Sequence, residues 1–185
     1  MKLQKIVKKE TGNYITRYDI SYETEQKHTK VYEMISRNPQ IQTAEELRGT
    51  KADAVVIIAV DESGEHILLA REFRLAPGEW VYNFPAGLID DEETPAQSAV
   101  RELQEETGLE LYEINDTLPL SYSAVGFSNE MNVCIIGKAR GTFRKSTSEV
   151  EEIHAGWYSK EDVRNLLKTE RFAARTQAYC HLWSK

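Results

Sequence analysis

Cysteine is scarce in this chain, and so are long apolar runs and any excess of positive charge. The two cysteines, Cys134 and Cys180, lie far apart without metal-type spacing, so both are read as small buried side chains rather than parts of a disulfide or zinc framework. A reducing, cytoplasmic setting is the corresponding expectation. The longest apolar run, Ala54 to Val60, falls well short of the roughly 18 residues that cross a bilayer, so no membrane span is expected. The start, Met1-Lys2-Leu3-Gln4-Lys5, has charge but no apolar stretch behind it, and does not read as a secretion leader. With 23 Lys plus Arg against 30 Asp plus Glu, the net charge of −7 argues against a nucleic-acid partner gripped through its phosphates.

What the chain does have is an ordinary globular balance, 41% hydrophobic and 29% charged over 185 residues, which suits one domain with an extension. Tyr14, Thr16, Tyr18, Ile20 and Tyr22 alternate with polar neighbours at the period of a half-buried strand, and Val31 to Ile35 reads as its partner. These predict a small N-terminal antiparallel element over residues 1–48, ending in a helix-like Ala44-Glu45-Glu46-Leu47 and a linker at Arg48-Gly49-Thr50. The tyrosine-lined strand has little to cover it inside so small an element, so a homodimer is expected. The main domain then occupies 49–185. In it, Ala54 to Val60 reads as a fully buried strand, joined through Asp61-Glu62-Ser63-Gly64 to Ile67-Leu68-Leu69. Further strands are expected at Trp80 to Phe84, Asn132 to Ala139 and Ala155 to Tyr158. Two closing helices are expected over Glu161 to Lys168 and Phe172 to Trp183, the latter packing through Ala174, Ala178 and Leu182.

One helix is marked at both ends. Thr94-Pro95-Ala96-Gln97 offers an N-cap threonine, a first-turn proline and a glutamine to close a capping box, and Gly108 follows Thr107 as a left-handed stop. Ala96, Val100, Leu103 and Thr107 make its apolar stripe. Glu102, Glu105 and Glu106, at i, i+3 and i+4, gather on one helical face and repel one another. Alone, such a triplet is ordinarily a solvated acidic face.

Its frame changes that reading. Gly87, five residues, Glu93, seven residues and then Arg101-Glu102-Leu103-Gln104-Glu105-Glu106-Thr107-Gly108-Leu109 resembles the complete Nudix signature without a departure. A chance match is expected on the order of once in 10⁹ starts at ordinary residue usage. The resemblance implies an α+β fold, an α/β/α sandwich with a mixed central sheet between helices, and hydrolysis of a nucleotide diphosphate with Mg²⁺, for which Mn²⁺ is a possible substitute. It implies Glu102, Glu105 and Glu106 as metal ligands, the Gly87 carbonyl as a further one, Glu93 as a weaker candidate and Arg101 as the residue orienting the cluster. Carboxylates suit this task, because Mg²⁺ takes hard oxygen donors, keeps several waters and shares itself with substrate phosphates. It also lowers the pKa of a bound water.

The surroundings look like the branch acting on ADP-ribose and nucleoside diphosphate sugars, with a small-molecule nucleotide as partner. By that resemblance Arg74, with Arg71 beside it, contacts phosphate, a role suited to a guanidinium fork. Two positions depart from the branch. Val125 stands where a proline is usual, sixteen residues beyond the signature, and Asn83 stands where a glutamate usually precedes Pro-Ala-Gly. Glu130 in the Ser123 to Glu130 stretch is the candidate for a sugar hydroxyl. Glu149 is the first choice and Glu151 the second for general base, since a polar loop that closes over substrate can bring a carboxylate to the attacking water. Glu105 stays a candidate for a direct catalytic part. Two other readings stand beside the hydrolase of nucleotide sugars: a clean-up hydrolase of nucleoside triphosphates, and a non-catalytic module that senses a nucleotide.

Overall fold

The computed structural model describes residues 1–185, which divide into two compact units. The first comprises Met1–Asp53 and Leu120–Asn132, the second Ala54–Pro119 and Val133–Lys185. The first unit thus joins the N-terminal residues to a segment far along the chain, which local side-chain patterning does not tie to it.

In the first unit β1 (Lys2–Thr11), β2 (Thr16–Glu23) and β3 (Thr29–Ser36) form an antiparallel sheet in the order β1-β2-β3. The short helix α1 (Ala44–Arg48) is closed by a capping box between Thr43 and Glu46. Tyr18 and Ile20 are 0% and 2% exposed, packed with Met34 and Ile41, while Tyr14 lies outside the strand at 81%. The alternation thus serves this unit's own core. Of the stripe's tyrosines, Tyr18 is covered within the unit itself and Tyr22 packs against the same cluster, which leaves Tyr14 as the exposed one. The segment 120–132 is tied in by backbone: the Ile35 amide donates to the Phe127 carbonyl at 2.8 Å, and the Asp53 amide to the Met131 carbonyl at 2.8 Å.

The second unit is built on a mixed sheet whose main path runs β11-β5-β4-β10-β8. Here β4 is Ala54–Val60, β5 His66–Arg74, β8 Glu110–Thr117, β10 Met131–Arg140 and β11 Ile153–Ser159. β6 (Glu79–Asn83) pairs with β5, β7 (Ala86–Leu88) with β4, and the two-residue β9 (Ser121–Tyr122) with the start of β10 at Met131 and Asn132. From Val55 to Ala59 no residue exceeds 3% exposure, as an apolar β-branched run covered on both faces should behave. On one face Val56, Ile58, Ile67, Leu69, Tyr82, Phe84 and Cys134 pack with Val163 of α3 (Lys160–Thr169) and Cys180 of α4 (Ala174–Trp183). Burial pushes the Cys180 thiol up to about 12, which keeps it a neutral packing group. α4 buries Thr176 and Cys180, whereas Leu182 is 69% exposed; the expected seam through Ala174, Ala178 and Leu182 is therefore rotated. With a chemically mixed helix surface, small polar Thr176 can be buried because its hydroxyl finds partners.

α2 (Pro95–Thr107) covers the other face against β4, β7 and β8. Thr94 accepts from the Gln97 amide and Gln97 reaches back to the Thr94 amide, while Gly108 takes the left-handed φ of 78° that ends the helix. Its buried line is Ala99, Leu103 and Thr107 with Ser98, and Val100 is 42% exposed, so the buried stripe takes Ala99 where helical period alone suggests Val100. Small Ala99 allows the helix to lie close to the sheet, and Ser98 is drawn inward by its bond to Glu93. Leu103→Ala should destabilise the fold by about 2–5 kcal/mol, and Val100→Ala by less than about 0.5 kcal/mol, in denaturant titrations. Equal costs for the two would contradict this packing.

Candidate active site

β7 brings Gly87 beside α2. Its partner on β4 is Val55, and a Cβ at Gly87 would lie 1.9 Å from Glu102 Cδ and 2.1 and 2.2 Å from the two carboxylate oxygens. The Glu102 carboxylate therefore rests directly on the glycine, in space any other residue would fill. Its side chain is only 14% exposed, and burial raises its pKa against the lowering pull of Arg101.

One helical turn on, Glu106 is half-buried and accepts a hydrogen bond from the Ala86 amide. Burial chiefly, then the charges of Glu72, Glu102 and Glu151, push its pKa up to about 9. This is an acid surrounded by acids, with one amide on its side. Glu105 differs: its side chain is 47% exposed and reaches Arg101 at 3.3 Å.

Arg101 is the hub. Its Nε and Nη2 donate to the two oxygens of Glu93 at 2.9 and 2.8 Å, Nη1 donates to Glu102 at 2.8 Å, and Nη2 also reaches the Leu88 carbonyl at 3.1 Å. The forked contact, with the Ser98 hydroxyl donating as well, lowers the Glu93 pKa to about 2. Both Glu93 oxygens are thus engaged by Arg101 and Ser98, which makes Glu93 the anchor of the arginine. The expected i, i+4 pair of Arg101 with Glu105 is present as one spoke among several.

The polar loop between β10 and β11 lines a cavity of about 670 Å³ with Arg144, Ser148, Glu149, Glu151, Glu152 and His154. It is fastened to the end of α2, the Arg144 amide donating to the Thr107 carbonyl at 2.8 Å and the Thr147 amide to the Glu105 carbonyl at 3.1 Å. Of the two base candidates, Glu151 is the one whose charge acts on Glu106; Glu149 lines the same cavity.

Arg74 is 56% exposed and pairs with Glu72 at 3.1 Å, so it borders the acidic group. Arg71 points to the other face of β5, its guanidinium 5.1 Å from the Trp80 ring centre, and His154 stacks on the same ring at 5.2 Å. Glu130 belongs to the first unit, where it pairs with Arg37 at 2.6 Å. Sequence reasoning did not single out Glu72. Strand period was the available signal: Ile67 and Leu69 face α3 and α4, so Glu72 falls on the opposite face, towards α2.

The NUDIX domain pattern matches residues 50–180, which is well over half of the chain. The chain belongs to the Nudix hydrolase family. Among curated relatives, an ADP-sugar pyrophosphatase of Mus musculus is 39% identical over 85 residues, covering 44% of this chain and 38% of its own. An ADP-ribose pyrophosphatase of Mycobacterium tuberculosis is 34% identical over 121 residues, covering 63% and 58%. The matches thus span between 38% and 58% of these two relatives' length. A solved structure titled as an ADP compounds hydrolase superposes with a TM-score of 0.73 over 98% of this chain and 92% of its own, at 20% identity, a likeness of fold. No helix of the Nudix chain is long and apolar enough to cross a membrane.

No three or more of these side chains are already closed around one point, since Arg101 draws Glu93, Glu102 and Glu105 towards itself. The residues nonetheless fit a hard divalent cation. The donors are all oxygens, Glu102 lies in a cradle that only glycine leaves open, and Glu106 is a half-buried carboxylate burdened by like charges. Gly87→Ala should fold, because the added methyl meets the movable end of Glu102, yet displace that carboxylate and weaken Mn²⁺ binding about tenfold or more in calorimetric titration. Unchanged affinity would contradict the cradle. A raised carboxylate pKa has a definite sign: from the ordinary glutamate value of 4.5 up to about 9 the folded chain holds a proton that the unfolded one has lost, so stability falls as pH rises through that window. Melting temperature of chelator-treated protein should therefore decline more steeply with pH than that of Glu106→Gln; parallel curves would refute it.

Proposed function

We propose that this Nudix chain hydrolyses, with Mg²⁺, the diphosphate of ADP-ribose or a related nucleoside diphosphate sugar, giving a nucleoside monophosphate and a sugar phosphate. The observation that carries the proposal is the half-buried Glu106 beside Glu102 in its glycine cradle, a pair of carboxyl groups whose ionisation burial and like charge oppose, and which a divalent cation would relieve. The names borne by the relatives support the substrate class.

Glu102, Glu106 and the Gly87 carbonyl are the residues that hold the ion, with Mn²⁺ able to take its place. A bound Mg²⁺ supplies Lewis acidity towards phosphate oxygens and a water of lowered pKa. Arg101, fixed by Glu93, keeps Glu102 turned to the cradle. Arg74 is exposed enough to leave Glu72 and take a phosphate oxygen in its fork. Glu151 accepts the proton as the water oxygen bonds to phosphorus and the bridging P–O bond breaks, the bridging oxygen leaving on the other phosphate. Glu149, on the same loop, is the alternative base. Positioning dominates such a displacement, so fixed side chains matter more than reactive ones.

The test is a panel of ADP-ribose, other nucleotide sugars, dinucleotides and nucleoside triphosphates with Mg²⁺, products read by mass. Nucleoside monophosphate from ADP-ribose or another nucleotide sugar is the expected result. Pyrophosphate released from triphosphates alone, or tight binding with no turnover, would overturn the reading. Glu106→Gln should lower turnover by at least about 10²-fold, because losing even a group that merely supports a metal ligand costs about 10–100-fold. Circular dichroism should show its fold intact.

A further inference from the structure

Asn83, at the end of β6, stands between α4 and an acid on the neighbouring strand β5. Asn83 is fixed from one side by α4. The Thr176 hydroxyl, 0% exposed, accepts from the Phe84 amide at 3.3 Å, so its proton is free to be donated to Asn83 Oδ1 at 2.8 Å. That bond decides which way the amide faces: Nδ2 is left to point at Glu72, and donates to its Oε1 at 3.2 Å. Arg74 donates to the same oxygen at 3.1 Å. Both side-chain donors thus take Oε1, and Oε2 is left to the site. The Glu72 side chain is 14% exposed and lies on the face of β5 towards α2, where its charge is the first to act on Glu106. A carboxylate at 83 would repel Glu72 at this distance, whereas an amide steers it.

We propose that Glu72 is a further carboxylate of the cation site, and that Asn83 and Thr176 are the positioning residues that aim it. The proposal rests on the metal-dependent reading above. It concerns an acid on β5, outside the signature helix and loop, and makes the end of α4 part of the site's support. Thr176 acts through Asn83, and Asn83 through Glu72, so their effects share one route.

Mn²⁺ titration of the full chain, followed by electron paramagnetic resonance of the free ion without substrate, tests this. Glu72→Gln should weaken Mn²⁺ binding by about 10–100-fold, and Thr176→Val by about tenfold, with Thr176→Ser restoring it. Because the route is shared, Glu72→Gln with Thr176→Val should bind no more weakly than Glu72→Gln alone. If Glu72→Gln does not fold, the Thr176→Val and Thr176→Ser pair decides by itself. Affinity within about twofold of the parent in Glu72→Gln or, failing that, in Thr176→Val, while Glu106→Gln has lost the ion, would overturn the role of Glu72 and leave the metal site standing. Full Mn²⁺ affinity in Glu106→Gln as well would overturn both.

Discussion

Like-charge repulsion on a half-buried surface is the constraint around which this chain is arranged. Glu106 is pressed into protein with Glu72, Glu102 and Glu151 acting on it, and the Ala86 amide hydrogen-bonds to it in partial relief. A fold selected for stability alone would replace such an acid with a neutral residue of similar size, because unpaired buried charge is costly. The surrounding structure holds it there instead. Leu103 and Thr107 fasten α2 to the sheet, the capping box and Gly108 fix its ends, and β7 sets Gly87 under Glu102. The helix can then present its acids at one depth and in one direction.

Arg101 explains how the cluster persists. Four carboxylates lie within salt-bridge distance of it, from Asp90 at 3.6 Å to Glu93 and Glu102 at 2.8 Å each. Glu93 takes the bidentate contact and so acts as the arginine's tether, which leaves Glu102 bonded at one oxygen and Glu106 untouched by the guanidinium. The neutralisation is partial by construction: the exposed side of the cluster is balanced and the buried side is not. That asymmetry turns the remaining charge towards β7 and the loop bearing Glu151, where a cation and a diphosphate would complete it.

Much of this was legible in the sequence because the residues concerned act through local spacing. The ends of α2 follow from Thr94, Pro95, Gln97 and Gly108, the three glutamates share a face by helical period, and the Gly87 to Leu109 frame identifies the family. Other parts were not legible because they depend on contacts far along the chain. The stripe of α2 was misplaced at Val100, since period alone does not say that Ala99 gives the closer approach. α4 was rotated for a related reason, Thr176 being buried by bonds to Asn83 and Phe84 that no local pattern announces. β1 shows little alternation in its lysine-rich sequence, and β8 buries side chains only at its start, so neither carries a clear strand pattern. Glu72 lay in a strand read for its arginines. The link from segment 120–132 to β3 joins residues far apart in the chain, through the Ile35 amide on the Phe127 carbonyl and the Tyr32 hydroxyl on the Gly126 carbonyl, and no local pattern announces it.

The central claim is that the burdened side of the cluster is a cation site formed by Glu102, Glu106 and the Gly87 carbonyl. Anomalous diffraction from crystals soaked in Mn²⁺ measures it most directly. The account predicts a strong anomalous peak at ligating distance from both carboxylates and that carbonyl, with Arg101 still held by Glu93. A peak confined to other acidic surfaces, or none at saturating Mn²⁺, would contradict it.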